Sequence, residues 1–159
     1  MTVIPMPIAA GADPRSFPLM ARLFDKHGYT EVDRDNFDSF AARGGHTLLV
    51  FTEDPFRVKE TLDIAVIVPE IVRAFPERFT VGVLLPEAAR EIQPRYGFLR
   101  WPALVLLKDG KYVGAVDGLR DWDEYVAKVI ELLAAGPTRA PTLGIAVRDA
   151  GKTAGSCSG

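Results

Sequence analysis

The sequence predicts an α/β fold, a three-layer sandwich built on a mixed central sheet. Three observations point there. The runs "HTLLVFT", "FTVGVLL" and "ALVLL" are continuously apolar, as strands buried on both faces are. Helical patterns separate these runs, which is how parallel strands are connected. After the last run, "KDGK" leads into "YVGAV", and Asp-Gly between two apolar stretches marks an antiparallel hairpin.

The elements follow in chain order. "RSFPLMARLFDKHG" predicts a helix with Ser16 as its cap, Pro18 in its first turn and Gly28 past its end. Leu19, Leu23 and Phe24 form its apolar face. The segment 29–32 is a short candidate strand. "DRDNFDSFAARGG" predicts a second short helix, capped by Asp33 or Asp35 and stopped at Gly44-Gly45. Strand "HTLLVFT" comes next, then a charged stretch, then "TLDIAVIVPEIVRAF" with helical periodicity. Pro69 inside that pattern predicts a kink or a restart. "FTVGVLL" is a strand and "PEAAREIQPRYG" a helix opened by a proline and limited by Pro94. After the hairpin, "RDWDEYVAKVIELLAAG" is the last helix, with Asp121 and Glu124 spaced as a capping box and Gly136 as its stop.

The 159 residues fit one domain, since a single core commonly serves about 100–200 residues. Residues 1–45 form an N-terminal helical extension with the first strand, 46–135 the core, and 136–159 a Gly-, Pro- and Ala-rich tail expected to be mostly mobile, in which "LGIAV" is a weak candidate for a sheet edge. The charge of −2 and the lack of a basic stripe exclude a nucleic-acid partner. Without a run of 18 apolar residues, and with no signal-peptide pattern, the chain is expected in the cytoplasm with no membrane insertion. The one cysteine, Cys157, cannot form an internal disulfide. The two histidines, His27 and His46, are far apart in sequence. "DRDNFDS" sets Asp33, Asp35 and Asp38 near one another but lacks the glycine and distal glutamate of a calcium loop. No metal and no cofactor is expected.

"YGFLRWPALVLLKDGKYVGAVDGL" holds a Tyr-Gly pair, a proline entering a strand, a tight turn, a returning strand and a glycine. With the element order it resembles the C-terminal half of thioredoxin, and the likeness extends over residues 46–133. The resemblance implies a cis peptide bond at Trp101–Pro102 bordering a substrate groove, although an X-Pro bond taken alone favours trans. The departures matter more. Where thioredoxin carries Cys-x-x-Cys this chain reads "TEDPFRVKETLD", without a cysteine. The positions of thioredoxin's buried aspartate and lysine become Val50 and Val83. A dithiol cannot exchange disulfides without sulfur, so thiol-disulfide oxidoreductase activity is rejected.

Among cysteine-free thioredoxin-like proteins, the chain resembles the hydrogenase expression and maturation proteins of the HyaE, HupG and HoxO type. The residues that carry this are the N-terminal helix, "LLVFTEDPFRVKETLDIAVIVPEI" and the Trp-Pro step. The resemblance implies a non-enzymatic maturation chaperone for a membrane-bound nickel-iron uptake hydrogenase. Its implied partner is the small-subunit precursor, held by its twin-arginine signal peptide before export. Other hydrogenase maturation proteins are further candidate partners.

The residue chemistry suits that ligand. A twin-arginine signal needs carboxylates for its guanidinium groups and apolar surface for the rest, and Arg–carboxylate pairs can be bidentate. The candidate partner-binding residues are therefore Glu53, Asp54, Glu60 and Asp63, with Phe56, Trp101 and Pro102 as apolar surface. The same acids also suit a solvated loop and a helix N-terminus. Two alternatives stay open: a redox-inactive scaffold for another maturation factor, and a thiol or peroxide redox enzyme using Cys157.

Overall fold

The apolar runs occupy the middle of the sheet. The computed structural model describes residues 13–141. Strands β1 (Thr30–Glu31), β2 (His46–Phe51), β3 (Thr80–Leu84), β4 (Ala103–Lys108) and β5 (Lys111–Asp117) form one sheet in the order β1-β3-β2-β4-β5. β1, β3 and β2 are mutually parallel, and β4 is antiparallel to both β2 and β5. This is the mixed, thioredoxin-like arrangement.

Alternation along the strands divides the core between two faces. Leu48 and Val50 of β2 lie with Val81, Val83, Leu104 and Leu106 against α1 (Pro18–Asp25), α3 (Glu60–Ala74) and α5 (Trp122–Ala134). Leu49 and Phe51 face the other way, with Val105 and Leu107, against α2 (Phe37–Ala41) and α4 (Pro86–Ile92). Met20 and Leu23 of α1 are fully buried beside Ile64 and Val68, so the first helix is part of this packing.

The hairpin closes as its sequence requires. Asp109 and Gly110 both have positive φ, at 50° and 83°, the pattern of the primed turns that match strand twist. The capping box of α5 is present, with the Asp121 N–H donating to the Glu124 carboxylate at 3.1 Å. The Trp101–Pro102 peptide is cis.

Four local expectations are corrected. Ser16 does not cap α1: it lies in a 3-10 turn, Pro14–Ser16, and Phe17 takes the cap position with extended backbone. α2 is preceded by Asn36 rather than Asp33 or Asp35, because the Asp33 carboxylate is spent closing the turn onto the Asp35 and Asn36 N–H groups. α3 runs through Pro69 without restarting, held by the burial of Ile64, Val68 and Ile71. α5 leaves its axis at Ala135 in extended conformation, so Gly136 supplies no left-handed stop, and Pro137 disfavours helical backbone at the residue before it.

The segment after α5 folds back. The Thr138 N–H donates to the Tyr112 carbonyl of β5 at 2.8 Å, and Ala140 packs against the cluster that holds Trp101 and Tyr112. Pro141 reaches the backbone of Gly97. Thr138, Ala140 and Pro141 thus lie against the folded core. The remainder of the tail, with "LGIAV" and Cys157, lies outside the described residues, as does the extreme N-terminus.

Gly82 sits in mid-strand, paired with Thr30 on one side and Leu49 on the other. A Cβ there would stand 2.4 Å from Cε2 of Phe40 and 2.7 Å from Cγ2 of Val32. α2 packs this closely on β3 because no side chain intervenes. Gly82→Ala should therefore lower stability by about 1–3 kcal/mol through overpacking, read as a lower urea midpoint with unchanged slope.

Candidate functional site

β2 ends at Phe51, which pairs with Ala103 at the start of β4. One step further, Thr52 and Pro102 face each other. The register alone thus sets the acid-rich segment beside the cis-proline. Thr52 locks the end of β2 to β3, its N–H and hydroxyl both donating to the Leu84 carbonyl at 3.1 and 2.7 Å.

The Glu53 carboxylate turns inward. Its side chain is 9% exposed, accepts from the Arg90 guanidinium of α4, and also accepts the Asp54 N–H at 2.8 Å. The Asp54 carboxylate accepts the Phe56 N–H at 2.9 Å, and its carbonyl accepts the N–H groups of Arg57 and Val58. The loop is a compact polar turn that ends where α3 begins. Phe56 is half exposed and meets the Phe17 ring edge-on at 5.8 Å. Glu60 and Asp63 stand in the first turn of α3, where acids complement the helix dipole. Asp63 lies on the α5 side of the loop: it adds to the rise of the Tyr125 phenol pKa, which burial drives first.

Opposite the acid loop, Trp101 is half buried and meets Phe98 edge-on at 5.0 Å; Phe98 meets Phe51 in the same way. Pro102 is buried, and its carbonyl accepts the Gly118 N–H at 2.8 Å. The loop before it is held by one side chain. The Asp117 carboxylate accepts the N–H groups of Leu99 and Arg100 at 3.0 and 3.1 Å and pairs with Arg120 at 3.4 Å. Burial alone would raise the Asp117 pKa, but those two backbone donors, with Arg100 and Arg120, outweigh it and bring it below 3.8.

A groove of about 670 Å³ opens at the carboxyl ends of β1 and β3. That is where α/β sheets bind ligands. Six carboxylates line it (Glu31, Asp33, Asp35, Asp54, Glu87 and Glu91) against two guanidinium groups, Arg34 and Arg90. Both cations are engaged, Arg34 with Glu91 at 3.1 Å and Arg90 with Glu53. Among the described residues, Asp33, Asp35 and Glu87 make no ion pair.

Of the residues predicted from sequence, only Asp54 lines this groove. Glu53 lies behind its wall, committed to Arg90. Glu60, Asp63, Phe56, Trp101 and Pro102 share the same end of the sheet but not the groove. Sequence reasoning missed Glu31, Asp33, Asp35, Glu87 and Glu91 as site residues. A partial signal was present: Glu31 ends β1 and Glu87 closely follows β3, but that these two strands are neighbours in the sheet is not written locally. No group of three metal-ligating side chains occurs among the described residues, and no helix there is long and apolar enough to cross a membrane.

Two tests follow from this geometry. Arg90→Ala strands a nearly buried carboxylate and should cost about 1–3 kcal/mol in chemical denaturation; adding Glu53→Gln should restore part of the loss. A group with a depressed folded-state pKa stabilises above its unfolded pKa and loses that contribution as pH falls. The stability gap between the wild type and Asp117→Asn should hold constant from neutral pH to about 5, then close as the pH drops below 3.8.

A profile of the family described as "Hydrogenase-1 expression protein HyaE" matches residues 19–125, from α1 through the acid loop, the cis-proline and Asp117. The hydrogenase expression/formation protein HoxO of Cupriavidus necator is 42% identical over 142 residues, 88% of each chain. The hydrogenase expression/formation protein HupG of Rhodobacter capsulatus is 31% identical, covering 82% of this chain and 95% of its own. A crystal structure of a HupG protein from Rhodopseudomonas palustris is 33% identical, with a TM-score of 0.47 over 66% of this chain and 95% of the other. The fold assignment rests on strand order rather than on that superposition. The chain belongs to the HyaE family of hydrogenase expression/formation proteins.

Proposed function

We propose that this protein is a non-catalytic maturation chaperone of a nickel-iron uptake hydrogenase. It binds the small-subunit precursor in the cytoplasm through its twin-arginine signal peptide, before export. Family membership supplies the hydrogenase context. The observation that carries the ligand is the acidic groove, with three carboxylates outside any ion pair, at the end of the sheet that also bears the cis-proline.

The chemistry is recognition by charge and shape. Two adjacent guanidinium groups need fixed carboxylates within reach; Asp33, Asp35 and Asp54 supply them from short loops that follow strand ends, and Glu87 from the first turn of α4. Glu60 and Asp63 extend the same negative field onto α3. Glu53 plays another part: a partner's arginine would have to displace Arg90 to reach it, so its carboxylate orders the loop. Trp101 and Phe56 offer apolar surface close by.

The test is a titration of the protein with the hydrogenase small subunit carrying its signal peptide and with the same subunit lacking it. Binding should require the signal and weaken as salt rises, because exposed charge pairs are screened. Changing Asp33, Asp35, Asp54 and Glu87 to their amides should lower affinity tenfold or more, about 1.4 kcal/mol per factor of ten. Equal binding of both subunit forms would move the interface to the mature subunit and make the protein a scaffold.

A further inference from the structure

A surface that neither the sequence nor the reading above uses lies on the other side of the cis-proline. Leu99, Leu119 and Trp122 are 77%, 42% and 43% exposed, and they are three of the six large apolar side chains that stand exposed among the described residues. They come from two stretches of chain, the loop before β4 and the turn into α5, that share one rim. The Asp117 carboxylate takes the Leu99 N–H, Gly118 bonds to Pro102, and the Tyr125 hydroxyl donates to the Gly118 carbonyl and accepts the Arg120 N–H. Half-buried Trp101 sits at the inner side of this rim. Solvent-facing apolar residues gathered this way mark a contact surface.

The rim and the groove have opposite character and fixed places. Across the strand ends the order is β1, β3, β2, β4, β5. The carboxylates belong to the β1 and β3 side, and the apolar residues to the start of β4 and the end of β5. The charges near the rim are mixed: Arg100 and Arg120 stand with Asp117 and with Asp121, Asp123 and Glu124 at the start of α5, so what sets the rim apart from the groove is its apolar surface. Neighbouring strands lie about 4.8 Å apart, so β1 to β5 spans roughly 19 Å, the reach of about six extended residues.

We propose, building on the signal-peptide reading, that the bound signal lies across the strand ends in one direction. Its dibasic head occupies the groove over β1 and β3. Its apolar stretch crosses the Thr52–Pro102 step and rests on Leu99, Leu119 and Trp122. The reverse direction takes the arginines away from the six groove carboxylates and sets apolar side chains among them, while leaving Leu99, Leu119 and Trp122 uncovered, so the contrast between acidic groove and apolar rim selects the first.

The experiment uses the full-length protein, ¹⁵N-labelled, and a synthetic peptide of two adjacent arginines followed by a leucine- and alanine-rich stretch. A nitroxide is placed at one end of the peptide or the other. The head label should broaden the amides of Asp35 and Glu87, and the tail label those of Leu99 and Leu119 and the Trp122 indole. Leu99→Ser with Leu119→Ser, both at exposed positions, should weaken the peptide about tenfold while leaving the salt dependence of binding intact. A swapped pattern, or a tail label that broadens another surface, overturns the direction and leaves signal binding standing. Absence of broadening from either label overturns the signal-binding reading and this inference with it. Rim resonances that shift with protein concentration, without peptide, would assign the patch to a second copy and overturn the proposal.

Discussion

Everything at the candidate site depends on one strand being buried on both faces and paired on both edges. β2 sends Leu48 and Val50 into one core and Leu49 and Phe51 into the other. It runs parallel to β3 and antiparallel to β4. A slip of one residue would exchange its two sets of side chains between unlike cores, so the register is strongly held. That register is what sets Thr52 opposite Pro102. The loop that follows β2 and the loop that precedes β4 meet because their strands cannot slide.

The scaffold resembles one used for dithiol chemistry, but the loop after β2 is built differently. The segment after β2 now holds an inward carboxylate tied to α4 and a turn closed on Asp54. A thiolate needs a helix N-terminus and a free approach. Here the helix begins only at Glu60, after a polar turn has already satisfied its own backbone donors. The arrangement is a charged surface closed by its own hydrogen bonds.

Much of the fold was legible because it rests on local pattern. The buried strands, the Asp-Gly hairpin and the Asp121–Glu124 capping box each follow from residues within a few positions of one another. The features that were not legible depend on distant partners. Asp33 could cap a helix or close a turn; in the fold its carboxylate closes the turn onto the Asp35 and Asn36 N–H groups, and the helix follows Asn36. Pro69 would interrupt an isolated helix, yet Ile64, Val68 and Ile71 hold α3 continuous. Glu53 looked like a surface acid because Arg90, 37 residues along the chain, is invisible to local reading. The groove acids were missed for the same reason: they come together only when β1 joins the sheet beside β3. The rim of Leu99, Leu119 and Trp122 was hidden too, since an exposed leucine in sequence looks no different from a buried one.

The segment at residues 136–141 has a consequence for how this molecule can meet others. A sheet offers partners either its ends or its edges, and an open edge is an invitation to strand addition and aggregation. One edge here is β1, which is two residues long. At the other, the Tyr112 carbonyl of β5 is already occupied by Thr138, with Ala140 packed alongside. An extended chain is the kind of partner that would otherwise zip onto such an edge. With one edge short and the other partly covered, the strand ends are the face most open to a partner, and binding there would rest on side chains rather than on a ladder of backbone hydrogen bonds.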